Sequence, residues 1–283
     1  MVMKPSKQVI LNADDFGRSA GINAAVRKAH EQGMLTSTSL MITGEMANEA
    51  VEIARAHPDL AVGLHIVIVA GRAALPPARI PHLVDAQGRF SSDPVRAGLR
   101  YFFVRAARQE LHSEIREQFE RFAATGLPLA HVDGHVYMHL HPVALESIIL
   151  LATEFGAQRI RIPRDDFALC ISLDRSKLLQ KAVTAAVYAL LCRWSMRRLR
   201  RTSLRVTDRV YGLLQTGNMH QTYVQGVLRR LSVPSAELYF HPAMAPPYEE
   251  GGPNPGDLAT LLSPTLPAII AEHQLRPTGV LIS

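Results

Sequence analysis

The chain has 283 residues, 47% hydrophobic and 20% charged, with a formal net charge of +6 and a pI near 9.6. That composition is globular, and the length suits one large domain or two small ones. Two cysteines without CxxC spacing, Cys170 and Cys192, argue against a thiolate metal site or a disulfide framework. In chain order, Met1 to Gln8 is polar and lacks the apolar core of a signal peptide. Strands are predicted over Gln8–Ala13, Ser37–Ile42, Ala61–His65, Leu129–Asp133, Arg159–Ile162, Glu237–Phe240 and Gly279–Ile282. Helices are predicted between them. Ile22–Gln32 follows Ser19 and Gly21, Met46–His57 stops at Pro58, Gln109–Ala124 stops at Gly126, and Pro142–Phe155 stops at Gly156. Ala70–Arg100 and Pro246–Pro255 read as loops, and Ser176–Arg205 as an inserted cationic helical segment. The longest apolar run, Ala185 to Cys192, is far short of the ~20 residues that span a bilayer.

Repeated strand–helix–strand order argues for a parallel sheet with right-handed crossovers. An α/β fold of the (β/α) barrel type, with seven or eight strands and some irregularity, is favoured over an open sheet, which the sequence leaves open. The expectation is a single catalytic domain over residues 1–283, carrying the basic insertion near 176–205. The unpaired cysteines suit a reducing, cytoplasmic setting.

Polar residues cluster where such a barrel carries chemistry. Asp14, Asp15, His65, Asp133, His135 and His241 all fall at or just past the C-terminal end of an apolar strand. His131, Asp133 and His135 alternate at period two, so a strand would put them on one face. Neutral imidazole and carboxylate suit zinc and other divalent ions. Asp15, His65 and His135 can supply three ligands from three strands and leave positions open for water and substrate. Asp14 is then placed to accept a proton, and His241 to give one to a leaving group. Arg161 either orients a carboxylate or hydrogen-bonds Asp14, or it sits on the surface at a strand end.

Four motifs carry a family resemblance. They are Asn-Ala-Asp-Asp-Phe-Gly at 12–17, Gly-Leu-His at 63–65, His-Val-Asp-Gly-His…His-Leu-His-Pro at 131–142 and His-Pro at 241–242. In this order they resemble the YdjC-like carbohydrate deacetylases. The resemblance implies a barrel related to polysaccharide deacetylases, an Asp/His/His divalent metal site and hydrolysis of an N-acetyl group from an amino sugar. It implies Asp15, His65 and His135 as metal ligands, Asp14 as base and His241 as acid. By donor type zinc or magnesium is favoured, and manganese and cobalt also fit. Arg161, Tyr137, Asp133 and His139 are assigned to substrate contacts.

The chain departs from the family pattern at Tyr137, where a second His is usual. It departs again at Asp165 or Asp166, shifted by Arg164, and at Ala243, where Gly is usual. A narrower resemblance rests on Ala61–His65, Leu75-Pro76-Pro77, Gly98–Phe103 and Leu238–Pro242. It is to the branch associated with hopanoid biosynthesis, and it implies an N-acetylglucosaminyl hopanoid, a glycolipid, as substrate.

Other readings remain open. A phosphoesterase on a similar barrel would hold two metals about 4 Å apart. A 2-His-1-carboxylate set also suits an Fe(II) oxygenase. Soluble chito-oligosaccharides are an alternative substrate. The segment from Leu178 to Leu191, followed by Trp194, Arg197, Arg198, Arg200 and Arg201, would suit an anionic membrane surface at the inner leaflet. It would equally suit a barrel helix with a basic end. A homodimer is compatible with the sequence, and no nucleic-acid motif is present.

Overall fold

The computed structural model describes residues 7–245 and 252–282. The elements in order are β1 (Lys7–Phe16), α1 (Ala20–Gln32), β2 (Ser37–Leu40), α2 (Ala47–Ala56) and β3 (Ala61–Ile66). Then come α3 (Pro94–Phe103), α4 (Arg105–Ala124), β4 (His131–Gly134), α5 (Pro142–Glu154) and β5 (Arg159–Ile160). They are followed by α6 (Phe167–Leu173), α7 (Leu178–Leu199), β6 (Arg209–Tyr211), α8 (Gln221–Arg230), β7 (Ser235–Phe240), α9 (Pro255–Leu261), α10 (Thr265–Glu272) and β8 (Leu275–Pro277). A 3-10 turn, His135–Leu140, links β4 to α5.

Every strand pairing is parallel, in the order β5-β4-β3-β2-β1-β7-β6. β8 joins only the start of β1, where Lys7–Val9 pair with Leu275–Pro277. Strands covered on both faces need apolar residues on both. β1 shows this: Val9, Ile10, Leu11, Ala13 and Phe16 are all fully buried. The ends of the sheet curl toward each other. The Ile160 N–H donates to the Arg205 carbonyl at 3.0 Å, and the Arg205 N–H donates to the Gln158 carbonyl at 3.1 Å. Arg159 and Arg161, both on the interior face, reach Glu237 of β7 across the barrel. The sheet is thus closed beyond β5 by the bridge from Arg159 to Arg205, by the Val210 N–H on the Arg164 carbonyl and by the buried ionic crossing to β7.

Local chemistry explains most helix starts. The Ser19 hydroxyl accepts from the Ile22 N–H, and Pro142 opens α5 from its first turn. Several boundaries differ from the sequence reading. The last strand is β8, before the expected Gly279–Ile282. Pro277 lies within it, and because β8 pairs only with β1 its missing N–H breaks no ladder bond on the other side. β6, three residues long, was not anticipated. The expected loop Ala70–Arg100 runs into α3, whose start has both an Asp93 cap and Pro94 at the first position. Of the loop expected at Pro246–Pro255, residues 246–251 lie outside the described residues, as do 1–6 at the N-terminus. α7 does occupy the expected cationic segment. Among the described residues no helix is long and apolar enough to cross a membrane.

Candidate active site

In a regular strand, consecutive side chains point to opposite faces. Asp14 and Asp15 escape this because the register of β1 against β2 shifts between Ala13 and Phe16, and Asp15 takes φ 64°. Asp tolerates that left-handed backbone better than most residues. The two carboxylates consequently converge on one imidazole, His65.

Asp15, His65 and His135 form one cluster, with ligand atoms within 4.8 Å of one another and all three residues buried. Asp15 Oδ1 lies 3.5 Å from His65 Nε2 and 3.1 Å from His135 Nδ1, yet no hydrogen bond satisfies it. A buried oxygen aimed at two imidazole nitrogens without a bonded partner fits a cation position. Asp15 Oδ2 is held by Arg18 at 3.1 Å. Burial would raise the Asp15 carboxyl, but the nearby His135 charge and the two imidazoles hold it well below the usual carboxylate range.

His65 is aimed by Asp133, which accepts from its Nδ1 at 2.7 Å and leaves Nε2 facing Asp15. A carboxylate behind a ligating His fixes its tautomer and raises its basicity. Burial would lower the His65 pKa, but Asp133 pushes it up to about 10. A metal on Nε2 would displace that proton. Asp14, His65 and Asp133 form a second, overlapping group. It is the poorer candidate, because both Asp14 oxygens and both Asp133 oxygens already have charged or hydrogen-bonding partners.

Arg161 explains those partners. Its guanidinium donates to Asp14 Oδ2 at 2.7 Å and Oδ1 at 2.8 Å, a bidentate clamp. The same group lies 2.9 Å from Asp133 and donates to Glu237 at 2.7 Å, with the Tyr239 ring beneath it at 4.9 Å. One guanidinium offsets only part of three carboxylates, and Arg159 on Glu237 and His65 on Asp133 add to the compensation. Asn12 adds a donor to Asp14 Oδ1 at 2.8 Å. His241, at the end of β7, places Nε2 4.0 Å from Asp14 Oδ2. Its backbone N–H donates to Asp257.

The structure thus gathers Asp14, Asp15, His65, His135, Asp133, Arg161 and His241 at one end of the barrel. Of the residues assigned to substrate contacts, Asp133, His139 and Arg161 are fully buried beneath the cluster. The His139 Nε2–H donates to the Arg161 carbonyl at 2.9 Å, and burial lowers its pKa to about 4. Tyr137 is half-buried, its ring 5.7 Å from that of Tyr239. Its φ of 56° and that of Val136, 52°, swing the chain away from His135.

Sequence reasoning missed Asn12, Ser39 and Glu237. Ser39 Oγ donates to Asp133 at 2.7 Å and lies 3.0 Å from His131 Nε2, so it ties β2 to β4 beneath the metal cluster. For Asn12 and Glu237 the signal is a polar side chain inside a largely apolar strand, whereas Ser39 lies in Ser-Thr-Ser-Leu, where nothing sets it apart. Gly63 also acquires a reason: a Cβ there would sit 2.4 Å from the His131 ring. Gly63→Ala should therefore displace that ring and destabilise the fold by roughly 1–3 kcal/mol, as overpacking does. An unchanged unfolding midpoint in denaturant would show that the ring moves aside freely.

A parallel α/β barrel with one carboxylate and two imidazoles converging at the ends of its strands defines an enzyme-like class with a candidate metal centre. Residues 8–272 match the profile of the YdjC-like protein family, and the chain belongs to that family. A carbohydrate deacetylase of Brevibacillus brevis is 39% identical over 148 residues, which is 52% of this chain and 56% of the relative. A chitooligosaccharide deacetylase of Serratia marcescens is 32% identical over 56% of this chain and 61% of its own. The chain thus spans little more than half the length of the curated relatives it matches. A crystal structure from Enterococcus faecalis, described as that of a candidate cellobiose-phosphate cleavage protein, superposes with a TM-score of 0.73 over 97% of both chains. At 22% identity that likeness shows the shared fold.

Proposed function

We propose that this protein is a metal-dependent carbohydrate deacetylase that hydrolyses the N-acetyl group of an amino sugar. The observation that carries the reading is the convergence of Asp15, His65 and His135 beside an Arg161-clamped Asp14, with His241 facing Asp14. The names of the relatives support the substrate class. Asp15, His65 and His135 would hold one divalent cation, zinc or magnesium by donor type. Such a cation, when bound, polarises the amide carbonyl and lowers the pKa of a water.

The chain's own groups do the rest. Asp14 accepts the proton from the attacking water, and Arg161 and Asn12 keep its carboxylate oriented. Asp133 holds His65 in the tautomer that leaves Nε2 free. His241 protonates the departing amine from the Asp14 side. Tyr137, half-buried against Tyr239, would touch the sugar. The phosphoesterase alternative needs two ions, but the two candidate ligand groups share His65.

The finer reading is a single catalytic domain acting on an N-acetylglucosaminyl glycolipid of the hopanoid type at the cytoplasmic face of a membrane. The exposed stripe Leu179, Val183, Val187 and Leu190 on α7 supports it, since a helix in a soluble barrel rarely leaves such a line open. The test is acetate release from N-acetylglucosamine compounds with and without a hopanoid tail, before and after chelation. Release that stops on chelation and returns with one metal per chain is expected. No acetate from any compound would sink the reading, and two metals per chain with phosphate-ester turnover would favour the alternative.

A further inference from the structure

A cavity of about 560 Å³ lies between α7 and the segments that follow β5 and β6. Five arginines line it. Arg193, Arg197 and Arg200 come from the last turns of α7 and its cap, Arg164 from the turn after β5, and Arg209 from β6. Among the described residues, none of these five guanidinium groups makes a hydrogen bond or an ion pair. Arg198, outside the cavity on the same helix, does pair, with Glu146 at 2.9 Å. The one carboxylate in the lining, Asp165, is occupied by backbone N–H groups of Asp166, Gly212 and Leu214.

A basic helix end alone does not produce this arrangement. The helix dipole accounts for cations in the last turn of α7. It does not account for Arg164 and Arg209, which enter half-buried from the opposite wall. Five like charges facing one concavity repel one another, and low-dielectric walls focus their field on a bound anion. The guanidinium fork matches phosphate oxygens two at a time. We infer that this cavity is a phosphate-binding site, taking either a soluble phosphorylated compound or the phosphate of a lipid headgroup.

Its position connects it to the proposed chemistry without depending on it. Tyr188 lines the cavity, and its ring lies 5.5 Å from Tyr137, which neighbours Tyr239 and the catalytic end of the barrel. On the outer side, Val187 and Leu190, in the two turns before Arg193, are 50% and 68% exposed. A headgroup in the cavity would bring that apolar stripe against the acyl boundary.

The experiment is calorimetric titration of the full chain with pyrophosphate, alongside co-sedimentation with mixed phosphatidic acid/phosphatidylcholine vesicles. The variants are R193Q/R197Q/R200Q on the helix, Arg164→Gln on the opposite wall, and R229Q/R230Q on α8 as a charge control. Saturable pyrophosphate binding, weakened roughly tenfold or more by the triple variant and by Arg164→Gln but not by the α8 control, is the expected result, a loss of at least about 1.4 kcal/mol. Binding to the vesicles alone, with the same pattern across variants, would assign the site to a lipid headgroup. Acetate release from a soluble N-acetyl sugar should be unchanged in the triple variant. The inference is overturned if neither probe binds. It is overturned equally if Arg164→Gln binds like wild type, or if the α8 control loses as much as the triple variant. Failure of the deacetylase reading would leave both binding measurements intact.

Discussion

Asp15→Asn, His65→Ala and His135→Ala should each lose bound metal and acetate release together. Each variant removes one of three donors that come from separate places: the end of β1, the end of β3 and the turn after β4. No spare donor stands ready, because the nearest other carboxylates, Asp14 and Asp133, are held by Arg161. Asp15→Asn is the sharpest of the three. Asn accepts the left-handed φ of 64° that this position requires, so the backbone turn should persist while the charge is lost. The loss should therefore be of metal, with the melting behaviour of the metal-free protein little changed. Full metal occupancy in all three variants would sink the ligand assignment.

Asp14→Asn should separate the two functions. The cluster of Asp15, His65 and His135 does not use Asp14, so metal content should stay near that of the wild type. Acetate release should fall by about 10²–10⁴-fold, the usual contribution of a general base. An amide still fills the space between Asn12, Arg161 and His241, but it cannot accept the proton. If instead Asp14→Asn loses the metal while Asp15→Asn keeps it, the roles of the two neighbouring carboxylates are reversed.

The parts of this molecule that were readable in its sequence share a physical trait. β1 and β3 are apolar runs that end abruptly in charge, and a buried strand cannot carry Asp or His in its middle without a partner. The boundary therefore marks both the strand's end and the site. α5 announced itself with Pro142 and a downstream glycine. β6 did not, because three residues are too few to show a period. β8 was displaced because the apolar stretch Gly279–Ile282 outweighed a short segment containing Pro277. α3 could have been found from Asp93-Pro94, but the surrounding Pro, Gly and Arg content suggested a loop. Within the site, ligands were legible because they sit at strand ends. Their supports were not. Ser39, Asn12 and Glu237 matter through contacts with residues 2 to 94 positions away, and no local pattern encodes such a partner.

Arg161 follows directly on β5, a strand of only two residues, and it also orients Asp14. Removing it would leave Asp14, Asp133 and Glu237 buried with less compensation, a loss of about 3–5 kcal/mol by comparison with other broken buried pairs. A fall in turnover in such a variant would mix impaired chemistry with a loosened barrel. Stability and reactivity are joined here in a single side chain, so neither can drift far in this lineage without carrying the other with it.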